Sequence, residues 1–165
     1  MTAPSIIGFD PSMNSTGWAQ LDYETGQLLD CGIIRPTGAI NTIEKLDIID
    51  REVRALCRRE GVDIAIEDGI QYRSGTVTRM LAQVWGVVAL AAWQATSVHI
   101  GEINISTVKL LATGNGRANK DQVTDAAVAR WGNQAGQNDI ADACWVAEAH
   151  RQSLQRMFGA VGELA

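Results

Sequence analysis

Runs of apolar residues divide the chain into short strands and longer helices. Residues 6–10 form an almost continuous apolar run, which predicts a buried strand. Residues 16–22 and 27–34 alternate moderately between apolar and polar side chains, and a turn-forming stretch at 23–26 separates them. We therefore expect three antiparallel strands at the start of the fold.

The rest of the chain shows helical periodicity interrupted by two further apolar runs. Helices are predicted at residues 42–60, 76–95, 105–113, 120–131 and 138–158, and strands at 62–67 and 97–102. A helix between two buried strands requires a parallel crossover, so strands 6–10 and 62–67 should be parallel. The pattern predicts an α/β fold, with residues 1–158 as one domain and 159–165 as a flexible tail.

The helix at 76–95 is apolar on two nearly opposite faces. One face carries Val77, Met80, Leu81, Val84, Val88 and Ala91, and the other carries Trp85, Ala89, Ala92 and Trp93. In a chain of 165 residues, a second apolar face suits a partner subunit better than additional core, so we expect a homodimer through this helix. A wider single core is the competing explanation.

Two of the predicted strands end in a carboxylate. Asp10 closes the first strand and Glu67 closes the strand at 62–67. Because parallel strands end at one edge of the sheet, where ligands bind in open α/β sheets, these two acids should face each other. Asp139 and Asp142 begin the last helix, three residues apart and therefore on one face. Taken singly, Asp10 fits a solvated turn and a helix-start acid fits the helix dipole.

Composition excludes several classes of protein. The three cysteines share no close spacing, which argues against a disulfide framework or a thiolate metal site and fits a reducing, cytoplasmic location. The amino terminus lacks the pattern of a signal peptide. The most apolar stretch, at 80–95, is interrupted by glutamines and is predicted to be too short to span a bilayer.

The charge is unevenly distributed. The net charge is −5, yet residues 69–120 carry five basic residues, Arg73, Arg79, Lys109, Arg117 and Lys120, against Glu102 alone. That window is a candidate footprint for phosphate or a chance run of solvated charge. The basic, glycine-rich loop at 114–120 does not fit the nucleotide-binding loop pattern, so no nucleotide cofactor is expected. Glu148 and His150, on the last helix, are expected to be exposed.

The four acids and the motifs around them resemble the RuvC family of Holliday junction resolvases, in the ribonuclease H-like superfamily. The matching pieces are residues 7–11 with Thr16 and Gly17, residues 65–67, residues 108–109, residues 114–116 with Ala118 and Lys120, and residues 139–143. The resemblance implies a mixed five-stranded sheet flanked by helices and a homodimer that acts on four-way junctions. It implies that Asp10, Glu67, Asp139 and Asp142 bind metal and that Lys109 and Lys120 act on the phosphate or the DNA backbone.

The chain departs from the family at two points. Family members are typically basic, whereas this chain is acidic overall. After the second acid the family places an aromatic residue that stacks on a base at the junction centre. The corresponding position here is Ile70, with Tyr72 two residues later, so Ile70, Tyr72 and Arg73 are counted with Arg79 and Arg117 as candidate DNA contacts.

Oxygen donors without a cluster of histidine or cysteine suit a hard cation, so Mg²⁺ is expected, with Mn²⁺ as a substitute. Two ions about 4 Å apart would activate water and stabilise the leaving oxygen, with Asp10 bridging them and Lys120 offsetting charge on the phosphate. The alternatives are a ribonuclease H-like nuclease acting on flaps or RNA, a domain of an actin-like ATPase, and a non-catalytic DNA-binding dimer. An actin-like ATPase needs two such domains, which this length does not supply.

Overall fold

A computed structural model describes residues 4–58, 61–68 and 75–162, with side chains described up to residue 158. The strands are β1 (Ser5–Asp10), β2 (Thr16–Asp22), β3 (Leu28–Ile34), β4 (Val62–Asp68) and β5 (Ile100–Asn104). The helices are α1 (Thr42–Cys57), α2 (Gly75–Thr96), α3 (Ile105–Thr113), α4 (Lys120–Trp131) and α5 (Asn138–Gly162), with a 3₁₀ turn at Asn133–Ala135. The helix expected to end at Phe158 thus continues to Gly162.

The five strands form one mixed sheet in the order β3-β2-β1-β4-β5. β1 is the central strand, antiparallel to β2 and parallel to β4, and β5 continues the parallel half. The predicted α/β architecture, three antiparallel strands followed by parallel ones, is confirmed. Because β1 and β4 are parallel neighbours, their carboxyl ends lie side by side at one edge.

Apolar residues on both faces of the sheet form two cores. On one face Ile6, Ala65 and the small side chains of α5 pack with α3 and α4. On the other face Ile7, Phe9 and Ile64 pack against α1 and α2. The alternation of Ile6 and Ile7 between the two cores explains why β1 is apolar without interruption: both of its faces are buried.

Two glycines allow α5 to lie directly on the sheet. A Cβ added to Gly8 in β1 would lie 2.3 Å from the Ala143 carbonyl oxygen and 2.6 Å from the Ala147 nitrogen. A Cβ on Gly17 in β2 would lie 2.0 Å from the Asp139 carbonyl oxygen. The missing side chains therefore bring the first turns of α5 next to the end of β1.

The helix α2 is buried on one side only. Val84, Val88, Ala91 and Ala92 are buried in the core, whereas Leu90 and Trp93 are 53% and 54% exposed. The predicted second face is therefore wrong in part: of its four residues only Trp93 is exposed, because Ala92 is buried and Trp85 and Ala89 pack against the same core. The helix α2 has 22 residues and an apolar window with a mean hydropathy of 1.2, so by length and composition alone it could cross a membrane, whereas the sequence predicted a stretch that is too short. Its packing against α1, β4 and β5 shows instead that α2 forms part of the folded domain.

The prediction that Glu148 and His150 are exposed is wrong. Glu148 is fully buried, and its carboxylate accepts hydrogen bonds from Arg130, Arg151 and Gln152 at 2.7–2.9 Å. Burial alone would raise the pKa of Glu148, but these donors hold it below its usual value. His150 is also buried, with Nε2 3.5 Å from Asp63 Oδ1. The sequence pattern predicted that both residues lie on α5. It did not show that the sheet and the neighbouring helices α3 and α4 cover that part of α5 on several sides.

Candidate metal centre

Three carboxylates meet at the carboxyl edge of the sheet. Asp10 ends β1, Glu67 lies near the end of β4, and Asp142 lies near the start of α5. One oxygen of each lies within 4.8 Å of the others. The prediction that Asp10 and Glu67 face each other is confirmed, and α5 adds Asp142 because Gly8 and Gly17 let it approach.

The fourth predicted acid lies beside this cluster. Asp139 is one turn before Asp142 on α5, and its Oδ2 accepts a hydrogen bond from the hydroxyl of Ser15. It lies close enough to Asp10 for its charge to raise the pKa of Asp10. The structure thus brings the four acids to one edge of the sheet, three in mutual contact range and Asp139 at their side.

Burial and mutual repulsion make it costly for these acids to ionise together. Burial, followed by repulsion from Glu67, Asp142 and Asp139, raises the pKa of Asp10 well above its usual value. Burial and the charge of Asp142 raise the pKa of Glu67 to about 7. Burial also raises the pKa of Asp142, although Lys120 opposes the effect. The cluster is therefore poised to exchange protons for a positive charge.

Two lysines face the acids. Lys120 Nζ lies 3.8 Å from Asp142 Oδ2, and its side chain is 64% exposed. Lys109 lies close enough to lower the pKa of both Glu67 and Asp142. Lys120 is the first residue of α4, and a reciprocal capping pair between Asn119 and Gln122 fixes where that helix begins.

The donors at this site fit a hard divalent cation. Asp10, Glu67 and Asp142 offer only carboxylate oxygens, the ligands that Mg²⁺ and Mn²⁺ prefer over nitrogen or sulfur. Burial and the charge of Asp142 raise the pKa of Glu67 to about 7, and a divalent cation at the cluster would offset both effects. The residues present therefore fit a metal ion.

The remaining predicted DNA contacts are either exposed surface residues or lie outside the described residues. Arg117 is exposed in the loop between α3 and α4, where its amide donates to the Asn115 side chain at 3.0 Å. Arg79 is exposed near the start of α2. Ile70, Tyr72 and Arg73 lie outside the described residues, so their role in DNA binding stays a prediction.

Two residues that contact the site were not singled out for that role from the sequence. Ser15 donates to Asp139, and Gly17 is the point at which α5 touches the sheet. Gly17 lies within β2, in agreement with the strand predicted at 16–22, and pairs with Asp10. A glycine inside a strand is a known signal of close backbone approach, and that signal was present in the sequence.

Comparison with known proteins agrees with this geometry. Residues 6–150 match the family described as crossover junction endodeoxyribonuclease RuvC. The chain is 36% identical over 124 residues to the RuvC of Prochlorococcus marinus strain MIT 9313, covering 73% of this chain and 79% of that protein. It is 32% identical over 162 residues to the RuvC of Hyphomonas neptunium, covering 94% and 96% of the two chains.

The fold agrees with a solved structure as well. The structure of T. thermophilus RuvC in complex with Holliday junction substrate superposes with a TM-score of 0.77 at 22% identity, covering 89% of this chain and 92% of that one. This likeness establishes the shared fold. Together with the match over residues 6–150 and the curated relatives above 30% identity, it shows that the chain belongs to the RuvC family of crossover junction endodeoxyribonucleases.

Proposed function

We propose that this protein is a metal-dependent endodeoxyribonuclease that resolves four-way DNA junctions by paired phosphodiester hydrolysis. One observation carries the proposal: within a RuvC-family fold, Asp10, Glu67 and Asp142 converge to within 4.8 Å at one edge of the sheet. Lys120 stands 3.8 Å from that cluster on its solvent side. The relatives of this protein carry the name crossover junction endodeoxyribonuclease RuvC.

Asp10, Glu67 and Asp142, with Asp139 beside them, would hold two Mg²⁺ ions, and Mn²⁺ would substitute for Mg²⁺. The ions supply Lewis-acid activation of water and stabilise the leaving oxygen. Burial and the charge of Asp142 raise the pKa of Glu67 to about 7, and a bound cation would favour its ionised form. Lys120 is exposed and close to the carboxylates, so its ammonium can contact a phosphate at the site and offset charge that develops there.

The exposed side of α2 supports a homodimer. Ala82, Gly86, Leu90 and Trp93 follow one another at spacings of three and four residues, which places them on one face; we call this face the α2 stripe. All four are exposed, and among the described residues no atom beyond the neighbouring backbone of α2 lies within 4 Å of a Cβ added to Gly86. An apolar stripe whose first half consists of small residues suits close approach of the same helix from a second copy.

A local basic surface accounts for DNA binding by an acidic chain. Lys109 and Lys120 lie beside the acidic edge, Arg117 is exposed in the loop before Lys120, and Arg79 is exposed in the first turns of α2. We assign phosphate contacts to these residues, and to Arg73, with Ile70 or Tyr72 at the junction centre. The salt dependence of junction affinity follows from the number of counterions that these contacts release. Because few cations are involved, the affinity should fall only moderately as salt rises. The proposed place of action is the cytoplasm.

Cleavage of defined substrates tests the proposal. We expect the wild-type protein with Mg²⁺ to introduce symmetric paired nicks in a synthetic four-way junction and to leave linear duplex uncut. Glu67→Gln and Asp10→Asn should each lower the rate by at least about 10³-fold, because each removes a charged metal ligand. Asp68→Asn, adjacent to Glu67 and half-buried, is the matched control and should retain activity near that of wild type.

Two results would contradict the proposal. Retained cleavage by Glu67→Gln or Asp10→Asn would exclude the acidic cluster as the metal site. Equal cutting of junction, flap, linear duplex and RNA–DNA hybrid would reduce the assignment to a general nuclease of ribonuclease H-like fold. Binding of junctions without any metal-dependent cleavage would indicate a non-catalytic DNA-binding protein.

A further inference from the structure

We propose that Ser15 is a positioning residue for the metal site, and that its hydroxyl holds the Asp139 carboxylate in place for an ion. This inference rests on the proposed function, since it concerns the same acids. Ser15 Oγ donates a hydrogen bond to Asp139 Oδ2, across 124 residues of sequence. The hydrogen bond occupies one carboxylate oxygen and leaves the other for a cation.

The turn that carries Ser15 is held rigidly. Thr16 is fully buried, and its hydroxyl donates to the Ser12 carbonyl at 2.7 Å while accepting from the Ser12 amide at 3.1 Å. The next residue, Gly17, pairs with Asp10 across the two strands. Ser15 is therefore fixed by its neighbours at a set distance from the catalytic edge of β1.

The surface that faces this turn is fixed as well. Gly17 has no Cβ, and this allows the backbone of Asp139 to lie directly against it, where a Cβ would be 2.0 Å from the Asp139 carbonyl oxygen. Both ends of the Ser15–Asp139 hydrogen bond are thus anchored by main-chain contacts. Such a bond can restrict the Asp139 side chain without any large rearrangement of the fold.

Asp139 needs such a restraint more than the other acids do. It lies outside the group of three carboxylates that share one 4.8 Å cluster, in the first turn of α5. Its charge and those of Asp10 and Asp142 repel one another. The Ser15 hydroxyl gives the Asp139 carboxylate a donor that offsets this repulsion. Donors that orient metal-binding carboxylates typically change metal affinity by tenfold or more when they are removed.

The experiment measures Mn²⁺ binding to the DNA-free protein by calorimetry and by electron paramagnetic resonance. We expect Ser15→Ala to weaken one class of bound Mn²⁺ by about tenfold and to leave the other class within about twofold of wild type. Ser15→Thr keeps the hydroxyl and should restore binding. Ser12→Ala, in the same turn, is the matched control, because the hydrogen bonds between Ser12 and Thr16 use the Ser12 main chain.

A double-mutant cycle separates positioning from a general effect on folding. If Ser15 acts through Asp139, Ser15→Ala should have no further effect on Mn²⁺ affinity in an Asp139→Asn background. Unchanged Mn²⁺ affinity in Ser15→Ala, or an equal loss in both backgrounds, would overturn the inference. Wild-type protein that binds Mn²⁺ but does not cleave a junction would contradict the proposed function alone, so the two failures are distinguishable.

Discussion

At the scale of the residue, the acids at the sheet edge oppose the stability of the metal-free fold. Glu67 is buried with Asp142 and Asp10 beside it, and its pKa is raised to about 7 from an ordinary value of 4.5. A group whose folded-state pKa is raised binds more protons in the folded than in the unfolded state between those two pH values. The free energy of unfolding therefore falls as pH rises from about 4.5 to about 7.

This linkage predicts the effect of Glu67→Gln on the metal-free protein. In the presence of a chelator, the substitution should raise the free energy of unfolding at pH 8 by on the order of 1–3 kcal/mol and change it little at pH 4.5. Thermal unfolding of both proteins across that pH range provides the measurement. Asp68→Asn should show a much smaller pH-dependent difference. A gain of equal size at both pH values would mean that charge burial is not the cause.

At the scale of the element, the site depends on how closely α5 lies against the sheet. Gly8 and Gly17 have no side chains where α5 lies across the sheet, and α5 carries the small residues Ala143 and Ala147 opposite Gly8. The contacts at Gly8 and Gly17 are with α5 backbone atoms, which cannot turn aside as a side chain can. The position of Asp139 and Asp142 is thus set by two residues that carry no functional group.

Gly8→Ala should therefore affect both stability and the site. Its Cβ would lie 2.3 Å from the Ala143 carbonyl oxygen, so α5 must shift away from β1. We expect a loss of about 3 kcal/mol in the free energy of unfolding, together with weaker metal binding. Gly75→Ala is the control, because no atom of the described residues that lie outside its own turn of helix comes within 4 Å of a Cβ at that position. Chemical denaturation gives the free energy of unfolding, and matched Mn²⁺ titrations give the metal affinity. A Gly8→Ala protein as stable as wild type would show that α5 tolerates a side chain at this contact.

The elements were largely predictable from the sequence because hydrophobic periodicity reports burial directly. The apolar run at β1 and the alternation at β2 predicted the correct strands. The parallel direction of β1 and β4 predicted that Asp10 and Glu67 meet at one edge of the sheet. Side-chain partners across long sequence separations were not predictable. Glu148 on α5 is neutralised by Arg130 and Arg151, and Ser15 meets Asp139, through contacts that exist only once the helices pack.

At the scale of the whole molecule, the exposed stripe on α2 has the features of a subunit contact. Leu90 and Trp93 are more than half exposed on a helix whose other side is buried in the core. Large apolar side chains grouped on one face cost solvation energy unless a partner covers them. Paired nicking of a junction also requires two active sites held in a fixed relation, which a dimer supplies.

Leu90→Glu should convert the proposed homodimer to a monomer. A charge at the centre of the α2 stripe would be buried without a partner in the dimer, at a cost of several kcal/mol. Sedimentation velocity should show the loss of dimer, and the variant should bind Mn²⁺ as wild type does, because the acidic cluster belongs to one chain. Paired nicking of a four-way junction should fall at least tenfold.

Leu29→Glu is the matched control, since Leu29 is 54% exposed on β3 and lies outside the α2 stripe. It should remain dimeric and active. A Leu90→Glu protein that stays dimeric would place the subunit contact elsewhere on the surface. A monomeric variant with full paired nicking would show instead that two chains assemble on the DNA itself, with the junction rather than α2 setting the distance between active sites.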